Sequence, residues 1–351
     1  MTPSFSLRAA ALLAALSLLS SAAMAGDPAP AAPDAKAPAR KAWKVVYKTK
    51  IPAAPEGAKR LEAWIPTPFV DEVQGVCDLK VDASVPYELT KDDVTGNRFV
   101  HVLVENPKGE ITVDWTAVVE RSVDDGQGKG PVLDAYLKSD SLASIDGRAK
   151  KLADELLGSD SKDATRVKAR LIYDHVLQSM TYDKETPGWG KGDFERTCDV
   201  GRGNCSDFVA KFVTISRAAG IPARWTSSIS LAGDHMDCSA CGYHCYAHFR
   251  DGDHWVPVDP SDARRIVAKD PRKAVWYFGH AESNNVILSV GRDLTLVPKQ
   301  QAGPVNFLAG PYVEVDGKVV DVPSKNRTYG HEPVGGAAPP PAAPVPAPAA
   351  K

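Results

Sequence analysis

A cysteine at 205, a histidine at 244 and an aspartate at 259 follow one another in an order that suits nucleophilic acyl transfer. A thiol attacks a carbonyl as its thiolate, an imidazole takes its proton, and a carboxylate fixes the imidazole tautomer. The run Gly201-Arg202-Gly203-Asn204-Cys205-Ser206-Asp207 leads into a stripe of Phe208, Phe212, Ile215 and Ala219, closed by Gly220 and Pro222. This pattern predicts a helix over 205–219 with Asn204 as its N-cap. Cys205 then occupies the first turn, where unpaired backbone N–H groups favour an anion and lower a thiol from its free pKa of about 8.5. The same donors suit a developing oxyanion. A helix cysteine can also merely pack, but a glycine-rich approach that bares the helix start argues against that.

The base must come from elsewhere in the chain. Residues 243–260 read YHCYAHFRDGDHWVPVDP, with Asp251-Gly252 between two alternating runs. Asp-Gly in that setting predicts a hairpin with a two-residue type I′ turn. With Asp251 and Gly252 as the loop, Arg250 faces Asp253, His248 faces Trp255 and His244 faces Asp259. Directly opposed Cβ atoms lie about 4.5–5.5 Å apart, close enough for a carboxylate to orient an imidazole. A slip of one residue would break the pairing. His254 has the wrong parity and His248 gains only a tryptophan, so His244 is the expected base. An isolated His-Asp pair is commonly structural. Here it follows a helix-capping cysteine by about 40 residues, which favours chemistry.

These residues need a scaffold, and the 351-residue chain has room for one large domain or two modest ones. Residues 1–25 read as a signal peptide, with Arg8, an apolar run from Ala9 to Leu19, and Ala23-Met24-Ala25 before the cleavage point. That run is too short to span a bilayer and no second one exists, so no transmembrane segment is expected after its removal. The mature protein is expected to be secreted or periplasmic. Residues 26–42 and 333–351 are Pro/Ala tracts that read as a linker and a disordered tail. Over 43–125, Ile111, Val113, Trp115, Ala117 and Val119 alternate with mostly polar neighbours, as do Val100, Val102 and Val104. This predicts a small β-sandwich. Helical spacing follows in 133–137, 150–157 and 164–176, and strands return after Pro222. The region 130–325 is therefore α+β, with a C-terminal β segment.

The blocks GNCSDF at 203–208, RAAGIPARW at 217–225, HCYAHF at 244–249 and WVPVDPSDA at 255–263 resemble the transglutaminase-like superfamily. The resemblance implies a papain-like α+β catalytic domain after the β-sandwich, and a triad at Cys205, His244 and Asp259. It covers about 160–265 most strongly, with GRDLTLVP at 291–298 and PYVEVDGK at 311–318 similar to flanking regions of secreted bacterial members. Cys245 departs from the pattern, since many relatives carry a small or apolar residue after the histidine. The implied reaction is attack on an amide carbonyl, giving a thioester that water or an amine resolves. Hydrolysis is favoured, because water is abundant and no dedicated amine site is visible. Tyr182 and Trp189 lie upstream where a side-chain oxyanion donor is wanted, although either can simply pack.

Six cysteines are too few for a disulfide scaffold. His235, Cys238, Cys241 and Cys245 crowd together and invite comparison with a zinc site, but zinc ligands usually come as two separated pairs. A disulfide within this loop is the expectation for an exported protein. No cofactor or metal is expected. The net charge of −2 excludes a basic nucleic-acid surface, so the expected partner is a protein or peptide substrate. A catalytically silent binding or scaffold protein of the cell envelope is the reading from another class.

Overall fold

The computed structural model describes residues 40–159, 161–231 and 242–334. The expected signal peptide, most of both Pro/Ala tracts, and the loop holding His235, Cys238 and Cys241 lie outside the described residues. The chain begins with strands β1 (Lys41–Ile51), β2 (Arg60–Pro66), β3 (Gln74–Ala83), β4 (Tyr87–Lys91), β5 (Arg98–Glu105) and β6 (Ile111–Arg121). Then come α1 (Arg148–Leu157), α2 (Thr165–Ser179), β7 (Thr181–Tyr182), α3 (Phe194–Val200), β8 (Arg202–Gly203) and α4 (Cys205–Ala218). The second half contains β9 (Ala223–Ser230), β10 (Tyr243–Asp251), β11 (His254–Val258), α5 (Pro260–Ile266), α6 (Pro271–Trp276) and β12 (Asn285–Val290). It closes with β13 (Tyr312–Val315), β14 (Lys318–Val319) and β15 (Arg327–Pro333).

The period-2 alternation of β6 buries Ile111, Val113, Trp115, Ala117 and Val119 on one face. Two sheets, ordered β15-β1-β6-β3 and β14-β13-β2-β5-β4, enclose one apolar core that includes Tyr47, Ile65, Val102, Trp115 and Val313. The arrangement is α+β, with a β-sandwich at the N-terminal end. The C-terminal strands return to it: β13 pairs with β2 and β15 with β1. These pairings also trim the expected tracts. Lys41 pairs with Arg121, so the N-terminal linker gives way to strand before residue 42, and Pro333 pairs with Trp43.

A third sheet, ordered β11-β10-β9-β12, backs the central helix α4. Ala247, Phe249 and Trp225 from the sheet pack with Phe208 and Phe212 from the helix. Every α4 residue from Cys205 to Arg217 is buried, as expected of a helix walled in on all sides. Its two buried cations have partners: Lys211 Nζ donates to Ser179 Oγ (2.9 Å), and Arg217 Nη1 lies 3.3 Å from Asp140 Oδ2. The expected helix at 133–137 is only a 3-10 turn over Asp134–Leu137, and α3 adds a short helix to the sequence reading.

The hairpin differs from expectation in register. Asp251 pairs with His254, so the loop is Gly252-Asp253 rather than Asp251-Gly252. Gly252 takes the positive φ (56°) and Asp253 does not. That places glycine at the first central position, the requirement of a type II′ turn rather than type I′. Each partner moves by two residues: Arg250 faces Trp255 and His248 faces Pro257. A two-residue shift preserves parity, so every side chain stays on its expected face.

Candidate active site

Two side chains build the start of α4. Asn204 Oδ1 accepts from Ser206 N (3.0 Å), while Asp207 Oδ2 accepts from Asn204 N (2.9 Å), completing a capping box. Asp207 N and Phe208 N are taken by Asn204 O (3.0 and 3.2 Å). Cys205 N–H is thus the unbonded donor of the first turn among the described residues. Asp207 also accepts from Gly190 N (2.8 Å) and Gly192 N (3.2 Å), tying the loop before α3 to the helix start. Gly203 is required here, because a Cβ would sit 2.1 Å from Asp207 Oδ2. The short parallel ladder of β7 and β8 sets Tyr182 opposite Gly203, two residues from Cys205.

His244 and Asp259 meet, although not as hairpin partners. The ladder between β10 and β11 stops at Ala247 and Val258. Asp259 leaves the strand with φ −124° and ψ 83° and becomes the N-cap of α5. Its Oδ1 accepts from Asp262 N and Ser261 Oγ (both 3.0 Å), and its Oδ2 lies 2.5 Å from His244 Nε2. His244 is also hydrogen-bonded to the Cys205 thiol. With Nε2 committed to Asp259, Nδ1 is the nitrogen that faces the sulfur. All three expected site residues therefore converge, and all are buried.

The electrostatics favour a charge-separated pair. The Cys205 thiol is held well below the usual range, first by a hydrogen bond from Cys245 and, against the cost of burial, by the hydrogen bond and charge of His244. Burial alone would lower His244, but the charge and hydrogen bond of Asp259 outweigh it and raise the imidazole well above its ordinary value. Burial would raise the Asp259 carboxyl, yet the charge and hydrogen bond of His244 hold it below the usual range. Tyr182 is pushed up to about 12, by burial and then by the charge of Cys205. Its hydroxyl has no protein hydrogen-bond partner among the described residues. Trp189 stands on the neighbouring turn, 38% exposed.

The other histidines of the hairpin are accounted for. His248 does not meet Trp255. Its Nε2 binds the buried Asp124 Oδ2 (2.9 Å) and its Nδ1 binds Thr226 Oγ1 (3.0 Å). With both nitrogens occupied, it has none to offer a nucleophile. His254 lies at the exposed end of the hairpin, with Nδ1 3.3 Å from Gln127 O. Asp124 is 124 residues from His248, and no local sequence signal joins them.

Cys77, Cys198, Cys205 and Cys245 are free thiols. Cys245 is therefore not the partner of a loop disulfide; it is fully buried beside Cys205. Cys238 and Cys241, on which the disulfide and zinc readings also rest, fall outside the described residues. His244, Asp259 and Asp262 offer atoms within 4.8 Å of one another. Those atoms are committed to each other and to Arg265, whose Nη1 donates to Asp262 Oδ1 (2.8 Å), as a hydrogen-bonded cluster. Asp207 and Cys245 are the residues that sequence reasoning left without a role. The Asn204-x-x-Asp207 spacing, a variant of the capping box, was the available signal for the first.

Comparison with known proteins follows the same region. Residues 150–260 match the profile of the Transglutaminase-like superfamily. An uncharacterized protein of Haemophilus influenzae is 27% identical over 315 residues, covering 77% of this chain and 84% of its own length. A solved structure of a candidate cysteine protease from Cytophaga hutchinsonii aligns with a TM-score of 0.53 and 16% identity, over 84% of this chain and 98% of that one. At that identity the likeness is one of fold. Among the described residues, no helix is long and apolar enough to cross a membrane.

Proposed function

We propose, for a chain whose residues 150–260 belong to the transglutaminase-like superfamily, that it is an exported thiol acyl-transfer enzyme acting on peptide or side-chain amides. The observation that carries the reading is the convergence of Cys205 at a helix start, His244 on Cys205, and Asp259 at 2.5 Å from His244 Nε2. His244 takes the thiol proton on Nδ1, while Asp259 keeps Nε2 protonated and stabilises the imidazolium. The thiolate attacks the amide carbonyl, and the resulting oxyanion is met by Cys205 N–H and the Tyr182 hydroxyl. The imidazolium protonates the leaving amine, a thioester forms, and His244 activates the water that hydrolyses it. Hydrolysis is preferred to amine transfer because water needs no dedicated binding site. The apolar run and small-residue cleavage pattern of residues 1–25 support export, with a secreted or periplasmic destination.

Labelling with a thiol-directed electrophile across pH tests the site. The parent should carry one rapidly alkylated thiol, at Cys205 by peptide mass, reactive well below pH 8. Both Cys205→Ala and His244→Ala should lose that fast phase. Fast labelling that persists at Cys238 or Cys241 in Cys205→Ala would overturn the assignment. Incubating a peptide library with hydroxylamine separates the outcomes: free acid as the main product supports hydrolysis, and dominant hydroxamate supports transfer. A silent scaffold would show no turnover in either assay.

A further inference from the structure

We infer that Cys245 is a positioning residue for the nucleophile: its thiol and its backbone N–H both donate to Cys205 Sγ, at the end of two hydrogen-bond chains that start at Trp225 and Asn204. This rests on the reading of Cys205 as the reactive thiol. Residue 245 alternates with His244 along β10, is fully buried, and lies in the apolar core that contains Cys205. Across the ladder it pairs with Ser227 of β9.

Two hydroxyls point at its sulfur. Trp225 Nε1 donates to Ser227 Oγ (3.1 Å), and Ser227 Oγ lies 4.0 Å from Cys245 Sγ. An indole N–H can only donate, so the Ser227 proton is left for the sulfur. On the other side, Asn204 Nδ2 donates to Tyr243 OH (3.0 Å), which lies 2.9 Å from Ser206 Oγ. Ser206 Oγ in turn donates to Cys245 Sγ (3.8 Å). With both hydroxyl protons directed at it, Cys245 keeps its own S–H for the neighbouring Cys205 sulfur. A thiol is a weak donor to a neutral acceptor and a stronger one to an anion.

The charge balance agrees. The Cys245 hydrogen bond is the largest influence lowering the Cys205 thiol, and Cys245 itself is pushed up, first by burial and then by Cys205. Cys205 is thus the thiolate and Cys245 the thiol. The titratable and charged groups around the pair are His244 and Tyr243 of β10, Asp259 and Asp262 of α5, Tyr182 of β7, and Arg292 after β12. None of these replaces the donor that a smaller residue at 245 would remove.

The test is the pH dependence of iodoacetamide alkylation at Cys205, with the site assigned by peptide mass, in the parent, Cys245→Ala, Cys245→Ser and His244→Ala. Cys245→Ala should move the midpoint upward by about one pH unit, a roughly tenfold loss of thiolate below it. Cys245→Ser, which restores a donor, should recover at least half of that shift. Ser206→Ala, which cuts one chain, should move the midpoint in the same direction by less and serves if Cys245→Ala does not fold. An unmoved midpoint in Cys245→Ala, or a serine variant no better than alanine, overturns the inference. If His244→Ala shifts the midpoint and Cys245→Ala does not, the thiol-enzyme reading stands and this inference alone fails. If Cys205 of the parent titrates as an ordinary thiol, both fail.

Discussion

His244 Nε2 stands 2.5 Å from Asp259 Oδ2 although the two residues are not opposite each other in any strand ladder. The contact exists because Asp259 ends β11 and caps α5, which divides its carboxylate between two tasks. Oδ1 holds the helix through Asp262 N and Ser261 Oγ, and Oδ2 holds the imidazole.

That division predicts the behaviour of Asp259→Asn. An amide oxygen at the Oδ1 position still caps α5, so stability should fall by no more than about 1 kcal/mol. The amide nitrogen now faces Nε2 and donates to it, forcing the imidazole proton onto Nδ1, where it can no longer accept from the thiol. The turnover number should drop about 10³–10⁴-fold with the fold intact. Urea unfolding and steady-state kinetics on an amide substrate read the two effects separately. A variant with near-parental turnover would remove Asp259 from the mechanism.

The pKa directions set a pH profile. For independent groups, a thiolate forms above about 8.5 and an imidazolium persists only below about 6.5, so the charged pair is scarce at any pH. Here the order is inverted, with Cys205 held low and His244 held high. The pair therefore forms as pH rises through the depressed thiol transition and is lost as pH rises through the raised imidazolium transition. The two transitions belong to the coupled pair rather than to either residue. A plot of kcat/KM against pH should show a plateau that includes pH 7. A single rise centred near 8.5, with no activity at neutral pH, would contradict the ion pair.

The sequence makes part of this legible, for reasons that individual residues explain. Asn204, the stripe from Phe208 to Ile215, and Gly220 locate the helix to within a residue, because caps and periodicity are local. The hairpin turn falls one residue away from the expected place because glycine serves two turn types, and only the flanking pairing decides between them. The His244–Asp259 contact withstands that error because parity is preserved. What local sequence does not carry is tertiary convergence. Asp124 reaches His248 across 124 residues, and Ser206 reaches Cys245 across 39. Both are side-chain bonds between elements brought together by the core, and no spacing rule connects them.

Tyr182 provides a prediction that separates stabilisation of the intermediate from activation of the nucleophile. The β7–β8 ladder sets it opposite Gly203, the charge of Cys205 acts on it, and its hydroxyl has no protein partner among the described residues. Tyr182→Phe removes only that hydroxyl. If it donates to the oxyanion, kcat should fall about 10²-fold with KM nearly unchanged. Alkylation of Cys205 by iodoacetamide forms no oxyanion and should keep its parental rate. Equal losses in both assays would mean that Tyr182 acts on the thiolate instead, and no loss in either would make it a packing residue.

Asp140 tests how the helix start is braced from a distance. Its carboxylate sits between Arg217 Nη1 and Arg292 Nη1, each 3.3 Å away, with at most 6% of any of the three side chains exposed. Burial raises the carboxyl, and Arg292 followed by Arg217 pulls it back down. Arg292 Nη1 also donates to Gly192 O (3.1 Å), and Gly192 N donates to Asp207 Oδ1 (3.2 Å), the residue that caps the helix of Cys205. Asp140→Ala leaves two buried guanidinium groups without their shared counter-charge and should cost about 3–5 kcal/mol in urea unfolding. Asp140→Asn keeps an acceptor and should cost less than alanine. Because Arg292 keeps its bonds to Asn306 (2.9 and 2.7 Å), Cys205 alkylation below the unfolding transition should change much less than stability does. A loss under 1 kcal/mol for Asp140→Ala would show that solvent, not the carboxylate, balances the two arginines.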